Sequence, residues 1–142
     1  MSPFIIAALV ASFGTSTYDG NLIEVEAAGF STEGERVVVA VFDRGSWDAG
    51  GGVPGADLLQ VCAVRDSSIS AGLTGLPHGQ FVILVFSDPN ANSNPDWGEE
   101  IGLSNNPALC GVVPPQPAFD DLAIMNKAPS TRIEIVVRGC GS

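Results

Sequence analysis

Two kinds of apolar pattern run along this chain, and both fit the β-strand better than the helix. Residues 131–137 set Ile133, Ile135 and Val137 against Arg132, Glu134 and Val136. That two-residue period belongs to a strand with one face in a core and one in water. Residues 68–73 alternate as cleanly, and residues 22–28 do so around Leu22 (or Ile23) and Val25. The second pattern is continuous. Residues 36–42 (RVVVAVF) and 80–86 (QFVILVF) are unbroken runs rich in β-branched and aromatic side chains. They read as strands buried on both faces or central in a sheet. Shorter apolar segments at 58–64 and 119–125 complete the set, with a two-turn helix over 56–60 as the alternative for the start of the first.

Turn chemistry separates these segments. Residues 29–34 form a Gly-bounded turn, and 43–55 form a glycine-rich loop that carries Trp47. In Leu76-Pro77-His78-Gly79 the proline presets φ and the glycine can take a positive one. Residues 103–107 and 113–117 are irregular and stiffened by proline. About seven strands at this spacing, with no long amphipathic helix, predict an all-β fold. The expected form is an antiparallel β-sandwich, immunoglobulin-like or prealbumin-like, in a single domain over residues 19–142.

Composition agrees with one folded core. The chain has 142 residues, 45% of them hydrophobic and 15% charged, with 17 glycines and 10 prolines. This is too apolar for disorder and suits short strands joined by many turns. Sixteen acidic residues against six basic ones give a net charge of −10. Such a surface repels phosphates and anionic lipid, which argues against nucleic acid or membrane partners. The apolar run 3–11 is too short to span a bilayer. Followed by small and polar residues 12–17, it reads as the core of a signal peptide within a leader of residues 1–18, cleaved near Gly14. A first strand or a disordered leader is the competing reading, since no Lys or Arg precedes the run. Export would place the mature chain in the periplasm or outside the cell. Cys62, Cys110 and Cys140 lack the spacing of a zinc site. In an exported chain they predict one disulfide and one free thiol, with all three pairings open.

The densest polar chemistry lies at residues 88–99, D-P-N-A-N-S-N-P-D-W-G-E. Asp88, Asn90, Asn92, Asn94 and Asp96 recur at every second position, and Glu99 follows. This is the ligand spacing of a calcium loop, whose hard cation takes six to eight oxygens. It is not an EF-hand: a strand precedes it, Ser93 stands where the sharp turn needs glycine, and Pro95 lacks an N–H. The expected cofactor is Ca²⁺, held weakly, with a Kd on the order of 10⁻⁴ to 10⁻³ M. The competing reading is that these Asp and Asn side chains make Asx-turns.

Other residues offer less. Ser104, Asn105 and Asn106 either add oxygens to that loop or form another turn. Trp47 and Trp97 either present an aromatic surface for a sugar or peptide or are buried beneath loops. His78 is the only histidine, and it sits in a Pro-Gly turn with no nucleophile motif in the chain. Asp120 and Asp121, adjacent on an expected strand, would point to opposite faces. Three functions follow, in descending order. The first is a non-catalytic exported module with a cation-binding loop and a structural or adhesive role. The second is a carbohydrate- or peptide-binding module, and the third a metal-dependent hydrolase.

The turn at 76–81, LPHGQF, resembles the entry L-P-x-G-x-[YF] of prealbumin-like and carboxypeptidase-regulatory-like sandwiches. With FSDPNAN at 86–92, IGLSNN at 101–106 and PAFDDLA at 117–123, the chain is similar to a bacterial family called domain of unknown function 2141. The segment VAVFD at 39–43 and Trp47 also fit it, so the resemblance spans roughly residues 22–137. It implies an exported β-sandwich without an established activity. Asp88, Asn90, Asn92 and Asp96 fall on that family's Asp/Asn-rich loop, and Ser104, Asn105 and Asn106 on its Ser-Asn-Asn segment. This chain departs from the pattern with Ser87 in place of a histidine, Ser93 in place of a glycine, and prolines at 89 and 95.

Overall fold

The two unbroken apolar runs become the centre of the molecule. A computed structural model describes residues 21–50, 52–92, 100–106, 118–126 and 130–139. Strand β1 covers Asn21–Ala28 and β2 Arg36–Phe42, followed by a short helix α1 at Arg44–Asp48 and a 3-10 turn at Val53–Gly55. Then come β3 (Leu58–Ala63), β4 (Ser68–Leu76), β5 (Gly79–Ser87) and β6 (Glu100–Leu103). Helix α2 (Phe119–Leu122), β7 (Ile124–Asn126), β8 (Ser130–Val136) and β9 (Arg138–Gly139) complete the described elements.

The strands form two sheets. The smaller has the order β4-β1-β8, and the larger runs β3-β2-β5-β6-β9 with β7 paired to the start of β5. Between them lies a core built from alternate residues, among them Ile23 and Val25 of β1, Val39 of β2, Ile83 of β5 and Ile135 of β8. The larger sheet is also covered on its outer face. There Val38, Phe42, Leu84 and Phe86 pack against Trp47, Val53, Phe119 and Leu122 from the helices and the 3-10 turn. β2 and β5 are therefore buried on both sides, which is why their sequences do not alternate.

The all-β sandwich expected from the pattern is present, with three differences. β1 and β8 pair in parallel, Leu22 opposite Ser130 through Ala28 opposite Val136. Parallel neighbours need a long crossover, and here nearly the whole domain lies between them. Second, residues 119–125 are not one strand: α2 occupies the first four, and β7 begins at Ile124. Phe119 and Leu122 sit three apart, so one helical turn points both into the outer core. Third, the loop 43–55 contains α1, capped by Asp43, whose Oδ1 accepts the Ser46 N–H at 2.8 Å. The alternative helix at 56–60 is instead the approach to β3 and its first residues.

Candidate functional site

The loop beginning at Asp88 leaves the end of β5 beside the start of β2. The Asp88 N–H donates to the Arg36 carbonyl at 2.8 Å, which carries the ladder one residue past the strand. The Asp88 side chain is fully buried, and its Oδ2 accepts from Arg36 Nε at 3.0 Å. Its Oδ1 accepts the Asn92 N–H at 3.2 Å, and its carbonyl accepts the Ala91 N–H at 3.1 Å. Asn90 Oδ1 also lies 3.3 Å from that Asn92 N–H, and Ala91 takes a positive φ of 56°. The first half of the loop is thus an Asx-type turn wound around a buried carboxylate. Asn94, Asp96, Trp97 and Glu99 lie outside the described residues. Among the described residues, no group of three His, Cys, Asp or Glu side chains is placed to hold a metal.

Where the chain re-enters the sheet, Ser87 Oγ accepts the Glu100 N–H at 2.9 Å and so ties the two ends of the loop together. Glu100 Oε1 accepts the Ser31 N–H at 3.2 Å from the turn between β1 and β2. Glu35 belongs to the same turn. Partial burial pushes its carboxyl pKa up, and the nearby Glu100 carboxylate pushes it further. This end of the sandwich is therefore acidic and carries one repulsive pair.

A folded-state pKa raised above the unfolded one works against the charged fold. The penalty is fully present above the raised value, shrinks as pH falls through it, and is gone below the ordinary carboxylate value. Glu35→Gln is expected to raise the melting temperature in EDTA at pH 7 and to lose that advantage as the pH is brought to about 4. Paired melts at the two pH values check this. An advantage that grows in acid would contradict the assignment.

The Ser104-Asn105-Asn106 segment lies at the other end of β6, about 13 Å of strand away from Glu100. Ser104 is fully buried. Its Oγ donates to the Leu122 carbonyl at 2.6 Å and accepts the Ile83 N–H at 3.1 Å. Asn105 Nδ2 donates to the Ala123 carbonyl at 3.0 Å. Asn106 bridges to the smaller sheet: its Nδ2 donates to the Glu134 carbonyl at 3.1 Å, and its Oδ1 accepts the Val136 N–H at 2.8 Å. Both asparagines adopt positive φ, 64° and 49°, a region that asparagine tolerates better than most residues. The three side chains clamp α2, β5 and β8 to one another.

Trp47 is buried within α1 and meets the Phe42 ring edge-on at 5.3 Å. His78 is exposed in the turn before β5. Asp120 and Asp121 lie on α2 rather than on a strand, and Asp120 pairs with Arg44, whose guanidinium sits 4.6 Å over the Phe119 ring. Cys62 is a half-buried free thiol whose pKa is raised chiefly by burial, so it is a poor nucleophile at neutral pH. Cys110 and Cys140 lie outside the described residues.

Three contributors were not singled out from the sequence: Arg36, Ser87 as a latch, and Asn126. Asn126 is fully buried, and its Nδ2 donates to the Pro77 carbonyl at 2.7 Å and to that of Leu76 at 3.3 Å, pinning the turn that carries His78. The only hint for Arg36 was a lone charge at the head of an otherwise apolar run.

The order of these parts, sandwich strand, Asp/Asn turn, short β6 and Ser-Asn-Asn clamp, can be set against known families. A family model described as "Uncharacterized protein conserved in bacteria (DUF2141)" matches residues 23–134. The chain belongs to this family. The match begins within β1 and ends within β8, so it takes in both sheets, the Asp88 turn and the clamp. No curated protein and no solved structure matches the chain. Among the described residues, no helix is long and apolar enough to cross a membrane.

Proposed function

We propose that this member of the DUF2141 family is an exported, non-catalytic sandwich module with a structural or adhesive role, whose 88–99 loop takes a hard cation such as Ca²⁺. The observation that carries the reading is the acidic end itself. The loop springs from a rigid Asp88 turn beside Glu35 and Glu100, whose mutual repulsion a bound cation would relieve. Asp88 is the anchor in this scheme. Its two oxygens already meet Arg36 and the Asn92 N–H, so coordination falls mainly to Asn90, Asn94, Asp96 and Glu99. A non-catalytic role is favoured by the way Ser87, Ser104, Asn105 and Asn106 are engaged with main-chain groups. Burial of Trp47 takes one of the two indoles away from the sugar- or peptide-binding alternative.

The test is a thermal melt in EDTA and in millimolar Ca²⁺. With Ca²⁺ at tenfold its Kd, stabilisation is about 1.4 kcal/mol, a rise of several degrees for a domain of this size. The variant Asp96→Ala/Glu99→Ala should melt like wild type in EDTA and gain nothing from Ca²⁺. Asp88→Ala should melt lower even in EDTA, because it removes an anchor rather than a ligand. Coincident wild-type curves with and without Ca²⁺ would end the cation proposal.

A further inference from the structure

The outer face of the smaller sheet is open to water, with Glu26, Ser70, Gly72, Arg132 and Glu134 all exposed on it. Strand pairing lays its side chains out in rows. Gly72, Glu24 and Arg132 stand side by side in one, and Ser70, Glu26 and Glu134 in the next. A hollow of about 250 Å³ opens over these rows, with Leu22, Glu24, Gly72 and Arg132 in its lining. That is room for one side chain rather than for a drug-sized molecule.

Two choices on this face cost stability, and the fold requires neither. The first is Gly72, since a glycine inside a strand loses backbone entropy and packs nothing. It takes no positive φ. The register shift between β1 and β4 lies beyond it, between the pairs Ile23–Leu73 and Asn21–Leu76. A Cβ on Gly72 would meet only the end of the Leu22 side chain, at 3.4 Å. A strand glycine with no bulge or tight packing to account for it is the kind found where a ligand approaches the backbone closely. The second choice is Glu26 directly opposite Glu134, a like-charged pair. Arg132 lies among three carboxylates: its Nη2 is 3.0 Å from Glu26 Oε1, its Nη1 3.8 Å from Glu24 Oε1 and its Nε 4.0 Å from Glu134 Oε2. Three carboxylates against one guanidinium leave this face at −2. Ser70 Oγ donates to Glu26 Oε2 at 3.1 Å, so both oxygens of Glu26 are engaged. Among the described residues, Glu24, beside the gap at Gly72, has only its long contact with Arg132.

We propose that this hollow takes the side chain of a lysine from a lysine-rich partner protein. The alkyl stem fills the space left by the missing side chain of Gly72 and lies against Leu22, while the ammonium meets the Glu24 carboxylate. Charge selects this occupant, since a face at −2 on a chain at −10 attracts a basic partner and repels an acidic one. A second copy does not supply it, because Lys127 is the only lysine in the chain. The inference gives the adhesive role proposed above a class of partner, and it rests on this face rather than on the cation loop.

The test titrates a short oligolysine peptide into the full chain at low ionic strength in EDTA and follows the backbone amides by NMR. EDTA keeps Ca²⁺ out, so failure of the cation reading leaves the result untouched. The expected result is saturable shifts centred on Leu22, Glu24 and Gly72, lost when the lysines are acetylated. Gly72→Leu fills the hollow at unchanged net charge and should weaken binding at least about tenfold. Glu24→Gln should weaken it about tenfold, the worth of one charge-assisted hydrogen bond. Asp121→Asn removes an equal charge from exposed α2 and should cost less than about twofold, since a distant charge is screened. Shifts scattered over the whole acidic surface would overturn the proposal, as would equal losses from Glu24→Gln and Asp121→Asn. Full affinity in Gly72→Leu, or no saturable shift with the unmodified peptide, would overturn it too.

Discussion

Gly102→Ala is expected to destabilise the fold by about 2 kcal/mol, although it adds a single methyl group. Gly102 is buried in β6, where the larger sheet comes down on β8 of the smaller one. A Cβ there would lie 2.6 Å from Ile135 Cγ2, 2.9 Å from Val137 Cγ1 and 3.1 Å from the Val136 carbonyl oxygen. Neither neighbouring side chain can swing aside, because β-branched residues are stiff at χ1 and both are buried in the core. The sheets must separate instead, and overpacking of this kind costs about 1–3 kcal/mol. Replacing glycine in a strand returns up to about 1 kcal/mol, not enough to offset a clash near the top of that range. Chemical denaturation measures the loss. The cause is isolated by Ile135→Ala: the double variant should be more stable than the sum of the two single losses by at least about 1 kcal/mol. Additive losses would place the cost somewhere other than this contact.

Arg36→Met should cost about 2–3 kcal/mol by leaving the fully buried Asp88 carboxylate without its cation. The figure lies below the about 3–5 kcal/mol of a wholly buried pair because the Arg36 side chain is 36% exposed and water shares in its solvation. Asp88→Asn keeps an acceptor for the Asn92 N–H and removes the charge. The double variant Arg36→Met/Asp88→Asn should therefore be more stable than Arg36→Met alone. Equal stability of these two variants would mean that the carboxylate is solvated well enough without Arg36. The same pair sets where the acidic loop begins, so its loss should also weaken any response to Ca²⁺.

Hydrophobic period was enough to find the longer strands of this chain, because a side chain's face is set by local backbone geometry, while the short β6 and β9 gave no such signal. It placed β2, β4, β5 and β8 close to where they lie, and the continuous runs correctly marked the two strands buried on both sides. The ordered motifs after residue 76 were also enough to point to the family. Helix α2 was missed because four residues give too short a window for a 3.6-residue period to outweigh apolar content.

The roles of the polar residues were decided only by the tertiary structure. Asp88 reads in the sequence as either a ligand or an Asx-turn residue, and no spacing shows that Arg36, 52 residues away, bonds to it across the β2–β5 ladder. Ser104 and Asn106 read in the sequence either as added oxygens for the acidic loop or as a turn, and they bond to Leu122, Glu134 and Val136 at the other end of β6. Spacing along a chain fixes what a side chain can do, but its partner is set by which strands pair and in what register. The parallel alignment of β1 with β8 is of the same kind: a pairing between residues 108 apart leaves no mark on the local pattern of either.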